Sequence, residues 1–478
     1  MTDNKRMTNY RWVICVLLFF ATTINYMDRQ VLSLTFPDFI SPEFHWSNKD
    51  YGFVTGCFSL FYAIAMLFAG RIVDWLDTKK GFIVAVTVWS IGAILHAFCG
   101  IATAGTLSGS FGISFEEARN IIATSADVEK VIAVSMALFL GARLILAVGE
   151  AGSFPACVKA TAEYFPKKDR AYATSWFNSG STIGALIAPL TIPFIAKAYG
   201  WEMAFIIIGA LGFVWIGFWQ FLYKKPDKNN AVNAAELKYI NQDDEDHLTL
   251  PATESKAKVS LWKAFRHRQT WAFASGKFMT DGVWWFFLFW IPSYMKQVFH
   301  MDTTQSAPYI FVIYLITMLS VFGGYLPTIF IEKKKMNPYA GRMRAMLIFA
   351  FIPLLVLFAQ PLGSYSPWIP IIIIGLACTA HQSWSANIFT TVSDMFPKYA
   401  VATVTGIGGM AGGLGSFFIQ QGSGAFFDYA AENNLHFAGF SGIQAGYFVV
   451  FIFCAVAYLI GWCIIKTLVP HFKIIREL

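Results

Sequence analysis

Apolar runs of roughly 20 residues recur along this chain between short polar breaks, and a helix of that length crosses the hydrocarbon core of a bilayer. The pattern predicts twelve helices, near residues 11–39, 51–76, 81–101, 132–156, 170–194, 201–223, 271–297, 306–331, 343–361, 367–392, 403–427 and 443–467. One break is far longer than the rest. From Lys224 to Arg268 the chain is rich in Asp, Glu, Lys and Asn. The expected architecture is an all-α membrane protein of twelve transmembrane helices in two six-helix bundles. Residues 1–223 form the N-terminal bundle, 224–268 a cytoplasmic linker, and 269–478 the C-terminal bundle.

Composition narrows the class. Hydrophobic residues make up 56% of the 478 and charged residues 14%, against about 25% charge in a soluble domain. A soluble enzyme, a nucleic-acid binder and a disordered chain are all excluded. The net charge of +7 matters less than its placement. With the N-terminus inside, 28 Lys and Arg fall in inside segments and 5 in outside loops, which sets both termini in the cytoplasm. The seven cysteines fall in or beside apolar segments, so no disulfide framework is expected. The first apolar stretch runs on through Asn25, Asp28 and Arg29 without a small-residue cleavage site and reads as a retained helix.

The six-plus-six split has internal support. Residues 163–174 (EYFPKKDRAYAT) follow the fourth helix, and residues 394–403 (DMFPKYAVAT) follow the tenth. A cytoplasmic loop repeated at matching positions is the mark of a duplicated transporter fold.

The remaining positive charges, Arg29, Arg143 and Lys277, lie inside predicted helices. With Asp28 and Glu150 they make two charged groups at membrane depth. Four such charges cost on the order of 10 kcal/mol unless paired or facing a wet cavity. Arg143 and Glu150 are two turns apart on one helix face, as Tyr26 and Arg29 are one turn apart. Two carboxylates beside two arginines can exchange a proton for a substrate carboxylate; the bland alternative is a set of ion pairs that stitches helices together. Lys277 and Asp281 allow the same two readings, a self-neutralising i, i+4 pair or a second cation facing the cavity. Trp284, Trp285, Phe289 and Trp290 follow, mostly as packing, with one or two of them, Trp284 first, candidate apolar faces for a sugar ring. Gln382 and Asn387, on an unusually polar tenth helix beside His381, are candidates for substrate hydroxyls. The loop from Gly70 to Gly81 holds two gating candidates. Gly70 would permit close helix approach, and Asp74 would accept hydrogen bonds from a helix N-terminus across the interface. The glycines of the eleventh helix, Gly406 to Gly415, read as packing and flexibility.

These motifs resemble the major facilitator superfamily. The loop from Gly70 to Gly81 is similar to its signature between helices two and three, departing at Trp75, where a basic residue is usual, and at Asp77, where Gly is usual. Asn25-Tyr-Met-Asp-Arg29, Gly149-Glu-Ala-Gly-Ser-Phe-Pro155 and Phe177-Asn-Ser-Gly180 resemble the anion:cation symporter branch. Lys277-Phe-Met-Thr-Asp281, Val283-Trp-Trp285, Ala380-His-Gln382, Trp384-Ser-Ala-Asn387 and Val392-Ser-Asp-Met-Phe-Pro397 resemble the bacterial hexuronate transporters within it. The likeness spans nearly the whole chain, with a longer insert near residues 102–130. It implies proton-linked roles for Asp28 and Glu150, substrate-carboxylate binding by Arg29, and a charge-switching role for Arg143. It also implies ligand contacts from Tyr26, Tyr62, Lys277 and Ser181.

The expected function is therefore proton-coupled symport of hexuronates such as galacturonate or glucuronate. Rivals are another sugar acid or organic anion, coupled to protons or sodium, and, in a different class, a membrane enzyme or sensor. The chain lacks His-Glu-x-x-His, Gly-x-Ser-x-Gly and P-loop motifs, and its linker is too short for an output domain. The expected partners are an organic anion, a proton and the bilayer of a bacterial inner membrane. No cofactor, metal, catalytic residue, nucleic acid or obligate protein partner is expected, and the chain is expected to be a monomer.

Overall fold

Helix boundaries are written in local capping chemistry. Ser47 and Asp50 form a reciprocal capping box at the start of one helix, and Asp302 and Gln305 form another. The two copies of the repeated loop start their helices alike, with Pro166 and Pro397 at the N-cap position. His45 and His300, both in the left-handed region, stop the preceding helical segments.

The computed structural model describes residues 7–242 and 261–475, with all their side chains except those of residues 74, 167, 171, 261, 262, 398, 399 and 402. Twelve long helices follow in order: α1 (Tyr10–Thr35), α2 (Asn48–Leu76), α3 (Thr78–Ala97), α4 (Val128–Ala151), α5 (Lys167–Tyr199), α6 (Trp201–Leu222), α7 (Arg268–Phe299), α8 (Thr303–Thr317), α9 (Pro338–Phe351), α10 (Trp368–Met395), α11 (Lys398–Glu432) and α12 (Gly442–Leu468). Among the described residues, ten helical spans are long and apolar enough to cross a membrane. The other two long helices are α7, which carries Lys277 and Asp281, and the glycine-rich α11. α1 is prolonged by a π-helical turn (Phe36–Ile40) and a short helix (Ser41–Phe44).

Two expectations gain detail. The insert near 102–130 is ordered as helices Cys99–Ser108 and Phe115–Ala123, and Arg119 reaches from it to Glu202 at 3.0 Å. The linker folds back at its start. Helix Ala234–Ile240 buries Glu236, which accepts hydrogen bonds from the backbone N–H groups of Tyr10 and Arg11, the Thr8 hydroxyl and the Arg11 guanidinium. The middle of the predicted linker lies outside the described residues.

Equivalent helices pair equivalently. α1 packs on α5 as α7 packs on α11, and across the halves α2 packs on α11 as α5 packs on α8. The seams are tight: a Cβ added at Gly424 would lie 2.2 Å from the Asn48 carbonyl oxygen of α2.

The hydrogen bonds and ion pairs between the halves gather toward the end of the bundle opposite the termini. Asp38 accepts from the Thr303 backbone N–H (2.6 Å) and hydroxyl (2.8 Å) and pairs with Lys296 (2.8 Å). Asp428 accepts from the backbone N–H groups of Asn48 (3.1 Å) and Lys49 (2.7 Å) and from the Asn48 amide (2.8 Å). Each carboxylate therefore caps the N-terminus of a helix in the other half, α8 and α2 respectively. Tyr51 donates to the Phe289 carbonyl below this rim, and Ser416 to Ser59 deeper still. The protein is closed at that end.

Candidate functional site

Small residues set the phase of the helices that carry the charges. The Thr22 hydroxyl of α1 donates to the Phe177 carbonyl of α5 at 2.6 Å, and a Cβ added at Gly184 would lie 3.0 Å from the Tyr26 Cβ. On α4, a Cβ added at Gly149 would fall 2.2 Å from the Trp89 backbone nitrogen, so α3 and α4 touch one residue before Glu150. The helix breaks at Gly152, where Pro155 lacks the N–H that the Ala151 carbonyl would receive, and resumes as Ser153–Tyr164.

Arg29 and Glu150 meet there. Arg29 donates from Nε (2.9 Å) and Nη2 (2.6 Å) to one oxygen, Glu150 Oε2, and both side chains are buried. Glu150 Oε1 has no partner. Aromatic rings surround the guanidinium, with centroids at 4.7 Å (Tyr62), 4.9 Å (Tyr26), 5.0 Å (Trp285) and 5.8 Å (Phe58). Three of these rings belong to the N-terminal half; Trp285 comes from α7.

Asp28 and Arg143 complete the group. Asp28 is 1% exposed, both its oxygens lack hydrogen-bond partners, and it faces Glu150, Arg143 and the Trp89 indole N–H. Arg143 is equally buried, with all three guanidinium nitrogens unpartnered and the Phe58 ring 5.0 Å away. The formal charges sum to zero, which is the condition for holding four ionisable groups out of water. Neither Asp28 nor Arg143 is satisfied by local hydrogen bonds, so each depends on the charge of its neighbours.

A second pair sits in the other half. Lys277 Nζ lies 2.7 Å from Asp281 Oδ2 and 4.3 Å from the Phe389 ring centroid. Asp281 Oδ1 is unpartnered, and Asp281 is within electrostatic range of Tyr26. The second pair thus lies within electrostatic reach of a ring of the first group, across the interface between the halves. Among the described residues no group of three or more His, Cys, Asp or Glu side chains is placed to hold a metal.

The structure brings together Tyr26, Asp28, Arg29, Tyr62, Arg143 and Glu150, and holds Lys277 on Asp281 in the other half. It does not bring Trp284 to them. Trp284 stacks on His381 at 5.2 Å, whose Nδ1 is 2.8 Å from the Tyr458 hydroxyl, inside the C-terminal half. Asn387 donates to the Ser383 carbonyl (2.8 Å) and Ser181 to the Asn178 carbonyl (2.6 Å), each within its own helix. Gln382 is half-buried beside His381. Gly70 makes no close approach. A Cβ there would meet nothing within 4 Å, because that face of α2 has no neighbour; the tight contact of this loop is at Gly81, 3.0 Å from Val73 Cα. The Asp74 side chain lies outside the described set.

The sequence reading left out Phe58 and, from the opposite half, chose Trp284 where the structure puts Trp285. The signal for Trp285 was present: Lys277, Asp281, Trp285 and Phe289 are spaced by four and share a helix face.

A family model described as Major Facilitator Superfamily matches residues 18–419. The chain is 29% identical to the hexuronate transporter of Escherichia coli (strain K12) over 476 residues, 99% of this chain and 98% of that one. It is 28% identical to the galacturonate transporter of Dickeya chrysanthemi over 378 residues, 78% and 96% of the two chains. Among solved structures, a bacterial homolog of the human lysosomal transporter Spinster, inward-facing and unoccupied, is similar with a TM-score of 0.70 at 18% identity, covering 98% of this chain and 99% of that one.

Proposed function

The chain belongs to the Major Facilitator Superfamily and is a multi-pass membrane transporter rather than an enzyme, and from that premise we propose that it carries hexuronates into the cell by proton-coupled symport. One observation carries this reading. The buried guanidinium of Arg29, at membrane depth, is already bound by a carboxylate of the protein, Glu150.

A substrate carboxylate needs that same planar donor pair. When it takes Nε–H and Nη2–H from Glu150, the buried group goes from zero net charge to −1. An anion left without its partner at this depth costs several kcal/mol, and a proton bound to Glu150 or to the adjacent Asp28 restores neutrality. Arg143, with no fixed partner, is free to follow whichever carboxylate stays ionised. Substrate and proton therefore arrive and leave together. Lys277 stands across the interface as a second cation for the sugar acid. With both termini in the cytoplasm of a bacterium, as the Lys and Arg distribution suggests, the closed end faces outward and the site waits for release inward.

The test is uptake into proteoliposomes with a panel of hexuronates, aldonates and aldarates under an imposed pH or sodium gradient. Uptake of galacturonate or glucuronate driven by the pH gradient is expected. Preference for an aldonate or aldarate would move the substrate assignment, and drive by sodium alone would refute proton coupling.

A further inference from the structure

We infer that Trp285 is a positioning residue for substrate binding, holding the Arg29 guanidinium by cation–π attraction from the opposite half of the transporter. The inference rests on the reading above, in which Arg29 receives the substrate carboxylate.

The geometry makes Trp285 unlike the other rings of the cage. Tyr26 lies one turn before Arg29 on the same helix, and Phe58 and Tyr62 lie on α2 of the same half. They travel with Arg29. Trp285 is on α7, half-buried, with its ring centroid 5.0 Å from the guanidinium carbon, inside the ~6 Å reach of the interaction. It is braced by Tyr62 at 5.8 Å and Phe58 at 5.9 Å from across the interface and by Phe289 at 5.5 Å from its own helix. In contrast, Trp284 turns its face to His381.

Glu150 uses Nε and Nη2 and fixes the guanidinium along one edge only. Once the substrate displaces Glu150, nothing in the N-terminal half but its aromatic rings keeps the fork aimed. Indole is the strongest of the aromatic faces for a cation, and a pre-aimed fork loses less freedom when the carboxylate binds. Contact with Trp285 also exists only while the two halves are together at this level. Arg29 is therefore best aimed in the state that encloses the substrate.

The test separates ring electronics from ring shape. Tryptophans carrying one, two and three fluorine atoms are placed at position 285 in the full-length protein, and galacturonate binding is measured by calorimetry. Each fluorine withdraws density from the ring face with little change in size. The dissociation constant is expected to rise stepwise, by about 3- to 30-fold across the series and at least as much in Trp285→Leu. The same series at Trp284 is expected to be flat. A flat series at position 285, or an equal slope at both positions, overturns the inference; so does loss of folded protein in Trp285→Leu with unchanged affinity throughout the fluorinated set. If the wild type binds glucuronate instead, the series is read with glucuronate; if it binds only an aldonate or aldarate, the hexuronate assignment fails and the series is read with that acid. If it binds none, both the reading and the inference fall.

Discussion

Removing the two carboxylates that cap helices across the interface should open the closed end. Asp38 and Asp428 each accept three polar contacts from the opposite half, between 2.6 and 3.1 Å, including one backbone N–H at a helix start for Asp38 and two for Asp428. The sites are partly exposed, so each is worth about 2 kcal/mol once water replaces the lost partners, combining charge-assisted hydrogen bonds with the helix dipole. They cap different helices and share no partner, so the double variant Asp38→Ala/Asp428→Ala should lose about 4 kcal/mol. That shifts the closed-to-open ratio at this end by a factor of about 1,000. Spin labels at Tyr199 and His300, one on each half and both exposed, report the separation by pulsed dipolar spectroscopy. Cys463, the exposed one among the native cysteines, is first replaced by serine. Without substrate, the distance distribution should move to longer values in the double variant, with each single variant between it and the parent. A distribution that superimposes on the parent's would refute the assignment of these contacts as the latch.

Other outcomes follow from the same geometry. Glu150→Gln should abolish accumulation driven by a pH gradient and spare part of the substrate counterflow, since exchange requires no net proton movement; wild-type uphill uptake in that variant would remove Glu150 from the coupling. Lys277→Ala leaves Asp281 without its 2.7 Å partner and should cost about 3–5 kcal/mol, read as lost yield of folded protein. Yield should return in Lys277→Ala/Asp281→Ala, and persistent loss would refute the stranded Asp281 charge as its cause. Asp77 sits at φ 68°, ψ 155°, a region essentially reserved for glycine that costs about 1–3 kcal/mol. Burial raises its pKa, but the Thr78 N–H and Lys225 outweigh that and hold it below the ordinary value. The benefit is present at neutral pH and is lost as pH falls through the lowered pKa; half-exposed, the pair contributes at most about 1 kcal/mol. Asp77→Gly should therefore match or exceed the parent's melting temperature at pH 7, whereas Asp77→Ala keeps the strain, loses the pair and should fall below both. A lower melting temperature for the Gly variant than for the Ala variant would refute the strain.

What could be read in advance was whatever announced itself by cost. Arg29, Glu150, Asp28 and Arg143 are charges in apolar runs, so their need for one another is visible in the residues alone, and the helices that carry them follow from run length. Spacing also separated the faces of α7, yet the choice between adjacent Trp284 and Trp285 depended on the approach of α2, which no local pattern encodes. Gly70 failed for a related reason: a glycine signals room for a neighbour but not whether one is there. The caps at Asp38 and Asp428 join residues 265 and 380 positions apart, beyond any local signal. The helix Phe115–Ala123 in the insert was legible in principle, since Ser114 and Glu117 form a capping box.

The buried Glu236 has a consequence for how the protein is made. The backbone N–H groups that open the first helix find their acceptor 225 and 226 residues later in the chain. At about 5–20 residues per second of synthesis, roughly 10–45 s pass between the emergence of Tyr10 and that of Glu236. By then all six helices of the N-terminal half have left the ribosome. The start of the first helix is thus sealed last, and a chain truncated before residue 236 leaves the N–H groups of that entry turn without their Glu236 acceptor.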